Sequence, residues 1–367
     1  VVKISTMPPW LDGRTPFGKH HFAGANVFML KMLKNNIDEL GITANETQFD
    51  SSISRTYQNL QLNTLGINLS EIARTADSLY LKVELDNLAG HKLPTAYPSR
   101  RVFIELITIN SQGDTIFHSG EQDEDFNLVE EDIPFENHHS IINKENQVQI
   151  YEIVMGDVNG NYTTVLERAA FQLKDNRIPP VGFTTSHFSY DTTEIVGNAL
   201  SDIDFNKSNE IEGTGSDMVY FNVATGGNTS NLDVTVNIYY QTVSKRWLED
   251  MFSYSSEEIN KFKNIYAEAD KSPILLSSKT LSSTYVSMKE NKNKEINIYP
   301  NPSSGFVTIN SNIKLNSLDI YTHSGSYLKT ISTKMKNEKV LISESKGVYL
   351  LVLNTDHGKE VQKIIIN

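Results

Sequence analysis

The spacing of apolar residues changes twice along this chain. Between 22 and 40, Phe22, Val27, Leu30, Leu33 and Ile37 recur at helical intervals, and Gly41 follows as a C-cap. A second helix is predicted over 46–66 through Phe49, Ile53, Tyr57, Leu60 and Leu65, with Thr43 or Asn45 as N-cap. From Ser78 the period becomes two. LYLKVELDN, RVFIELITIN, DTIFHSG, QVQIYEIVMGD, SDMVYFNVAT and LDVTVNIYYQTV read as strands bounded by Gly, Asn and Asp. Without intervening βαβ units, they predict an antiparallel sandwich rather than a parallel sheet. TTVLERAAFQLKDNRIPP predicts one short helix or a strand–helix unit, stopped by Pro179 and Pro180. Helical spacing returns over 245–269 through Trp247, Met251, Ile259, Phe262 and Tyr266.

These patterns divide the chain into four parts. Residues 1–77 form an extended and helical N-terminal segment, and 78–269 a β-sandwich with a following helix. Residues 270–294, rich in Ser, Thr and Lys, read as a linker. Residues 295–367 carry short strand candidates from INIYPNP to VQKIIIN and predict a small Ig-like β-sandwich. The predicted class is therefore mainly β.

Composition narrows the function. A net charge of −12 excludes a broad basic surface for nucleic acid or for an anionic membrane. No apolar run approaches the roughly 20 residues that a bilayer requires, so no transmembrane segment is expected. The chain has no cysteine, which excludes disulfides, thiolate–metal sites and a cysteine nucleophile. It begins Val1-Val2-Lys3 with no signal-peptide pattern, and the expectation is that processing or truncation removed a leader.

The chemistry concentrates in GHKLPTAYPSRR, residues 90–101. Two prolines stiffen a connection that also carries His91, Arg100 and Arg101. Either the loop presents His91 and an arginine to something outside the sandwich, or these groups satisfy one another and nearby acids within the fold. A second candidate is DVNGNYTTVLER. Asp157, Asn159 and Asn161 have the spacing of calcium ligands, but Tyr162 stands where glycine and Arg168 where glutamate is expected. Calcium and a plain turn both remain open there. Asp202, Asp204 and Asn206 form a weaker candidate, as do His138 and His139 beside Glu136. No nucleophile elbow, HExxH or phosphate loop is present, and whether the chain is an enzyme stays open.

Two resemblances add to this. YPNPSSGFVTI, LDIYTHSGSYLKT, SKGVYLLVL and GKEVQKIIIN resemble the C-terminal sorting domain of the type IX secretion system. That implies a Bacteroidota-type host, passage through the periplasm and engagement of that machinery. RTPFGKHHFAGANVFMLKML, NLAGHKLPTAYPSRRVFIEL, QIYEIVMGDVNGNYTTVLERAAFQLKDNRIPP and YYQTVSKRWLEDMF resemble the haem-free C-terminal part of multihaem c-type cytochromes. In that family CxxCH segments lie upstream. Lacking cysteine, this chain attaches no haem c itself; the resemblance implies that it completes a haem c site carried by an upstream segment. His91, His20 and His21 are then the candidate distal ligands, and Arg100 or Arg101 the partner of a propionate. Three functions follow: the scaffold of an exported electron-transfer protein, a surface module that binds glycan or protein, and a hydrolase of the sandwich type.

Overall fold

Alternation of apolar residues decides the body of the protein. The computed structural model describes residues 1–3, 5–16, 23–95, 97–285, 296–323, 326–332, 337–356 and 358–367. These belong to two units, Val1–Tyr285 and Val286–Asn367, each with its own core.

The first unit opens with helices α1 (Val27–Asn35) and α2 (Glu46–Leu62). Strands β1 (Leu65–Arg74), β2 (Ser78–Asn87), β3 (Arg101–Asn110) and β4 (Thr115–Ser119) follow. Shorter pieces come next: β5 (Ile141–Ile142), β6 (Ile150–Tyr151), β7 (Ile153–Gly156), β8 (Tyr162–Thr163) and β9 (Phe171–Asp175). After β10 (Lys207–Ser208) and β11 (Ile211–Glu212) come the long strands β12 (Ser216–Ala224) and β13 (Leu232–Gln241). Helices α3 (Lys245–Ser253) and α4 (Glu257–Glu268) precede β14 (Ile274–Ser283).

Two sheets make the sandwich. One runs β1-β2-β12-β5; the other runs β14-β13-β3-β4, with β6 also on β3. All pairings in them are antiparallel except β12 with β5. Leu81, Val83 and Phe221 of the first sheet and Ile104, Val236 and Ile238 of the second are fully buried in one core. Burying each such side chain contributes roughly 1.5–3 kcal/mol. Strand β3 is covered on both faces. Its outward Phe103 stacks on Tyr239 and packs against Leu128, Val148 and Ile150. The mainly β, antiparallel sandwich class is thus as expected.

Several boundaries differ from expectation. Helix α1 covers only the middle of 22–40, because Asn26 caps its start and Asn36 turns back on Met32 at its end. Helix α2 stops at Leu62, and period-two structure starts at β1 instead of Ser78, with Leu65, Ile67 and Leu69 alternating along it. The helix expected over 245–269 is two, because Ser256 begins a new one by accepting the Ile259 amide. No α-helix forms in 163–180; β8, a 3₁₀ turn at Leu166–Arg168 and β9 occupy it. Residues 274–283 are not linker but edge strand β14, which pairs along β13. Residues 286–294 of the expected linker lie outside the described residues.

The second unit has strands β15 (Ile296–Tyr299), β16 (Phe306–Ser311), β17 (Leu315–Thr322), β18 (Tyr327–Ser332), β19 (Asn337–Leu341), β20 (Gly347–Thr355) and β21 (Gly358–Ile366). They form sheets β15-β16-β19 and β18-β17-β20-β21 around Val307, Ile309, Ile320 and Leu351. Among the described residues no helix is long and apolar enough to cross a membrane.

Candidate functional site

The two motif-rich stretches, GHKLPTAYPSRR and LKDNRIPP, meet in space. Leu93 and Ile178 exchange both backbone hydrogen bonds, at 2.9 and 2.8 Å. The Asn87 side-chain amide donates to the carbonyls of His91 and Ile178. Beneath them, Asp175 is fully buried and accepts from Lys92 Nζ at 3.0 Å and from the Arg177 guanidinium at 2.8 and 2.6 Å. Burial pulls the Lys92 ammonium below its ordinary pKa, and the Asp175 carboxylate opposes this. Lys92 also donates to the Glu194 carbonyl and lies over the Phe183 ring. Adjacent side chains therefore take opposite directions: Lys92 anchors the loop inward, and His91 is left exposed.

His91 sits on the wall of a cavity of about 330 Å³. Its Nδ1 bonds to the Lys92 carbonyl at 2.9 Å. A carbonyl only accepts, so Nδ1 carries the hydrogen and Nε2 of the neutral ring keeps a lone pair. Arg100 lines the same cavity, and its guanidinium has no ion pair or hydrogen bond to the described residues. Tyr240, only 1% exposed, and Thr95 also line it. Among the described residues neither the Tyr240 hydroxyl nor Thr95 Oγ1 makes a well-formed hydrogen bond, though the two hydroxyls lie near each other and near Thr242. Burial pushes the Tyr240 phenol up to about 12, against the pull of the Arg100 charge. Leu60 from α2 and Leu93 from the loop supply apolar wall.

The structure withdraws Arg101 from the exposed set. Its side chain is 2% exposed, donating from Nε to Gln241 and from Nη1 to Glu131, each at 2.7 Å. As the first residue of β3, it faces inward, into a network with Glu131, Arg246 and Glu152. His20 and His21 lie outside the described residues.

The D-x-N-x-N stretch is the turn between β7 and β8. Asp157 Oδ1 accepts the amides of Asn159 and Asn161 at 2.8 and 2.9 Å. These bonds, the Asn161 amide foremost, hold the Asp157 carboxyl below its ordinary range. These backbone bonds are those of an Asx turn, and the calcium expectation at Asp157, Asn159 and Asn161 rests on their spacing alone.

A third group is one that sequence reasoning saw only in pieces. His138, Asp202 and Asp217 place potential ligand atoms within 4.8 Å of one another, all buried. Asp217, on β12, carried no sequence signal beyond a polar residue in an apolar strand. His138 Nδ1 accepts from Gln149 Nε2 at 2.8 Å and from Asn176 Nδ2 at 3.2 Å. Both amides are pinned: Gln149 Oε1 accepts the His139 amide, and Asn176 Oδ1 the Glu152 amide. Hence Nδ1 is an acceptor, and Nε2 carries the hydrogen given to Asp202 at 3.0 Å. A metal would need that nitrogen's lone pair, so the group does not fit a metal site. His139 turns to Glu136 instead and does not join His138.

Asp217 accepts from Tyr151 at 2.7 Å, and its other oxygen makes no well-formed hydrogen bond among the described residues. Burial raises its pKa above the ordinary 3.8. The folded chain then binds more protons than the unfolded one in acid, so this group loses stability for the fold as pH rises from about 4 through its raised value. Asp217→Asn keeps an acceptor for Tyr151 and removes the buried charge. It should be more stable than the parent at neutral pH and equal to it below about pH 4 in urea titrations. A loss at neutral pH would contradict this account.

A second cavity of about 290 Å³ lies in the 180–193 loop, lined by Phe183, Tyr190, His187 and Thr184. Phe183 and Tyr190 sit 6.0 Å apart between ring centroids, and nearby Phe188 is 91% exposed.

Comparison with known proteins bears on the two units differently. Residues 297–367 match the secretion system C-terminal sorting domain. The sequence matches no curated protein. Among solved structures, the chain is similar to a penta-heme cytochrome c552 from Thermochromatium tepidum, at 13% identity over 62% of this chain and 41% of that one, with a TM-score of 0.37. It thus spans well under half of the cytochrome. HBP35 of Porphyromonas gingivalis is similar at 10% identity over 88% of this chain and 70% of that one, with a TM-score of 0.21. The BSP domain of a biofilm associated protein is similar at 7% identity over 87% and 55%, with a TM-score of 0.22. The tail is a type IX sorting domain, so the protein is exported through the periplasm to the cell surface or beyond, and its tail engages that machinery.

Proposed function

We propose that the exported body is the haem-free part of a multihaem cytochrome-like electron-transfer protein, and that His91 serves as distal ligand to a haem c held by an upstream segment. One observation carries this reading: an exposed imidazole with Nδ1 fixed on a backbone carbonyl and Nε2 free. Histidines that ligate metals usually have their other nitrogen bonded in this way, which orients the ring and raises its basicity. When bound, the haem supplies the electron transfer. This chain holds the imidazole still, through the anchored Lys92 and the Leu93–Ile178 pairing, and offers Arg100 to a propionate. His20 and His21 are further candidate imidazoles from the sequence. Asp157 and its turn are left out of the reading.

A second reading, a surface module for glycan or protein, is favoured by the aromatic cavity at Phe183 and Tyr190. One set of variants separates the two. A haem c peptide carrying only its proximal histidine, added to the chain, should give a low-spin bis-histidine spectrum. His91→Ala should lose that spectrum by tenfold or more in affinity, whereas Tyr190→Ala should keep it. No spectral change with the parent chain, or an unchanged one with His91→Ala and a His20→Ala/His21→Ala control that loses it, would remove His91 from the role. Retention of immobilised glycan, lost in Tyr190→Ala but not in His91→Ala, would favour the second reading.

A further inference from the structure

We infer that the cavity behind His91 is a binding site for a carboxylate borne on a short aliphatic chain, read by Arg100, Tyr240 and Thr95. The donors are the first argument. The chain has 45 acidic and 33 basic side chains, yet none of the described acids pairs with Arg100. A half-buried guanidinium with no counter-charge among the described residues is a planar fork ready for two parallel bonds to a carboxylate.

The cavity wall is the second argument. The Tyr240 hydroxyl and Thr95 Oγ1 are buried near each other without a well-formed hydrogen bond among the described residues, and both residues line the same space as Arg100. A buried donor left unmade costs free energy that an arriving acceptor recovers. Two neutral hydroxyls and one fixed cation suit a monoanion better than a phosphate dianion. Leu60, Leu93 and Ala25 supply apolar wall for a short hydrocarbon body, beside the polar Asn59, Asn63 and Thr64. At about 330 Å³ the space takes a small molecule or one arm of a larger one, not an enclosed macrocycle.

Such a carboxylate has two sources. It is either a free short-chain organic acid or the propionate arm of a haem brought to His91; only the second rests on the haem reading. The test uses the whole chain, sodium propionate against sodium chloride at equal ionic strength, and the haem c peptide with its propionates free or methyl-esterified. Binding is followed by calorimetry for propionate and by the Soret band for the peptide. If the source is free acid, propionate binds, Arg100→Gln weakens it tenfold or more, and Tyr240→Phe weakens it several-fold. If the source is the haem arm, propionate is silent, esterification weakens the peptide tenfold or more, and Arg100→Gln erases that difference. Tyr240→Phe removes only a hydroxyl that makes no well-formed hydrogen bond among the described residues, so it should fold like the parent by circular dichroism and keep the readout clean. Propionate binding with no haem peptide binding would retain the carboxylate site and discard the haem reading. Silence to propionate together with equal binding of free and esterified peptide, or no peptide binding either, overturns the inference.

Discussion

Asp175→Ala should cost the first unit about 3–5 kcal/mol, the range found when one partner of a buried ion pair is removed. The carboxylate is fully buried and serves two cations, Lys92 and Arg177, which are themselves only 7% and 6% exposed. Without it, two positive charges stay in the interior with backbone carbonyls and the Phe183 ring for company. They must be neutralised, rehydrated by opening the fold, or endured. Both tryptophans, Trp10 and Trp247, lie in the first unit, so their fluorescence in urea reports this unit by itself. A loss below about 1 kcal/mol, the range of exposed pairs, would mean that Lys92 and Arg177 reach water freely. Because Lys92 adjoins His91, the same variant should also weaken the haem-peptide response before global unfolding.

Gly120→Ala should cost about 3 kcal/mol or more by a different route. Gly120 ends β4 with φ of +76°, where a side chain costs roughly 1–2 kcal/mol. A Cβ there would also stand 2.2 Å from the Ile104 carbonyl oxygen and 3.0 Å from Glu105 Cα. Those are backbone atoms of β3, a strand buried on both faces, and they cannot rotate away. Overpacking of this kind adds typically 1–3 kcal/mol. Gly113→Ala is the control: its φ is also positive, but no atom stands within 4 Å of the added Cβ, so only the first cost applies. Equal midpoints for the two variants in urea would show that β4 shifts to relieve the clash.

The class of fold was legible because the signal for it is local. Leu79, Leu81, Val83 and Leu85 alternate along β2, and alternation alone places them on one buried face. The tail was legible for the same reason, with its strands spaced by turn residues. Boundaries failed where one apolar residue was counted with the wrong element, as at Leu65, which opens the alternation of Ile67 and Leu69 in β1 rather than extending α2. They failed again where pairing overrides composition: the Ser-rich stretch at 274–283 reads as linker and becomes a strand because β13 offers it an open edge.

The site was legible only in part. His91 is conspicuous as an imidazole in a stiff, proline-containing loop, and the structure places it on a cavity wall. Arg100 and Arg101 were indistinguishable as neighbours in sequence; the start of β3 turned one inward to Glu131 and left the other beside the cavity. Tyr240 and Thr95 gave no signal, since a hydroxyl without a well-formed hydrogen bond is defined by what does not surround it.

The sequence alone determined that this is a mainly β, cysteine-free, acidic chain with a sorting domain for export, since periodicity, composition and a short ordered motif are properties of contiguous residues. Tertiary structure decided which charges are buried and which groups face one cavity. Lys92, in the loop after β2, and Asp175, on β9, are 83 residues apart, and only the folded chain brings them together. Desolvation and pairing depend on distance in space, and no pattern along a chain encodes that distance.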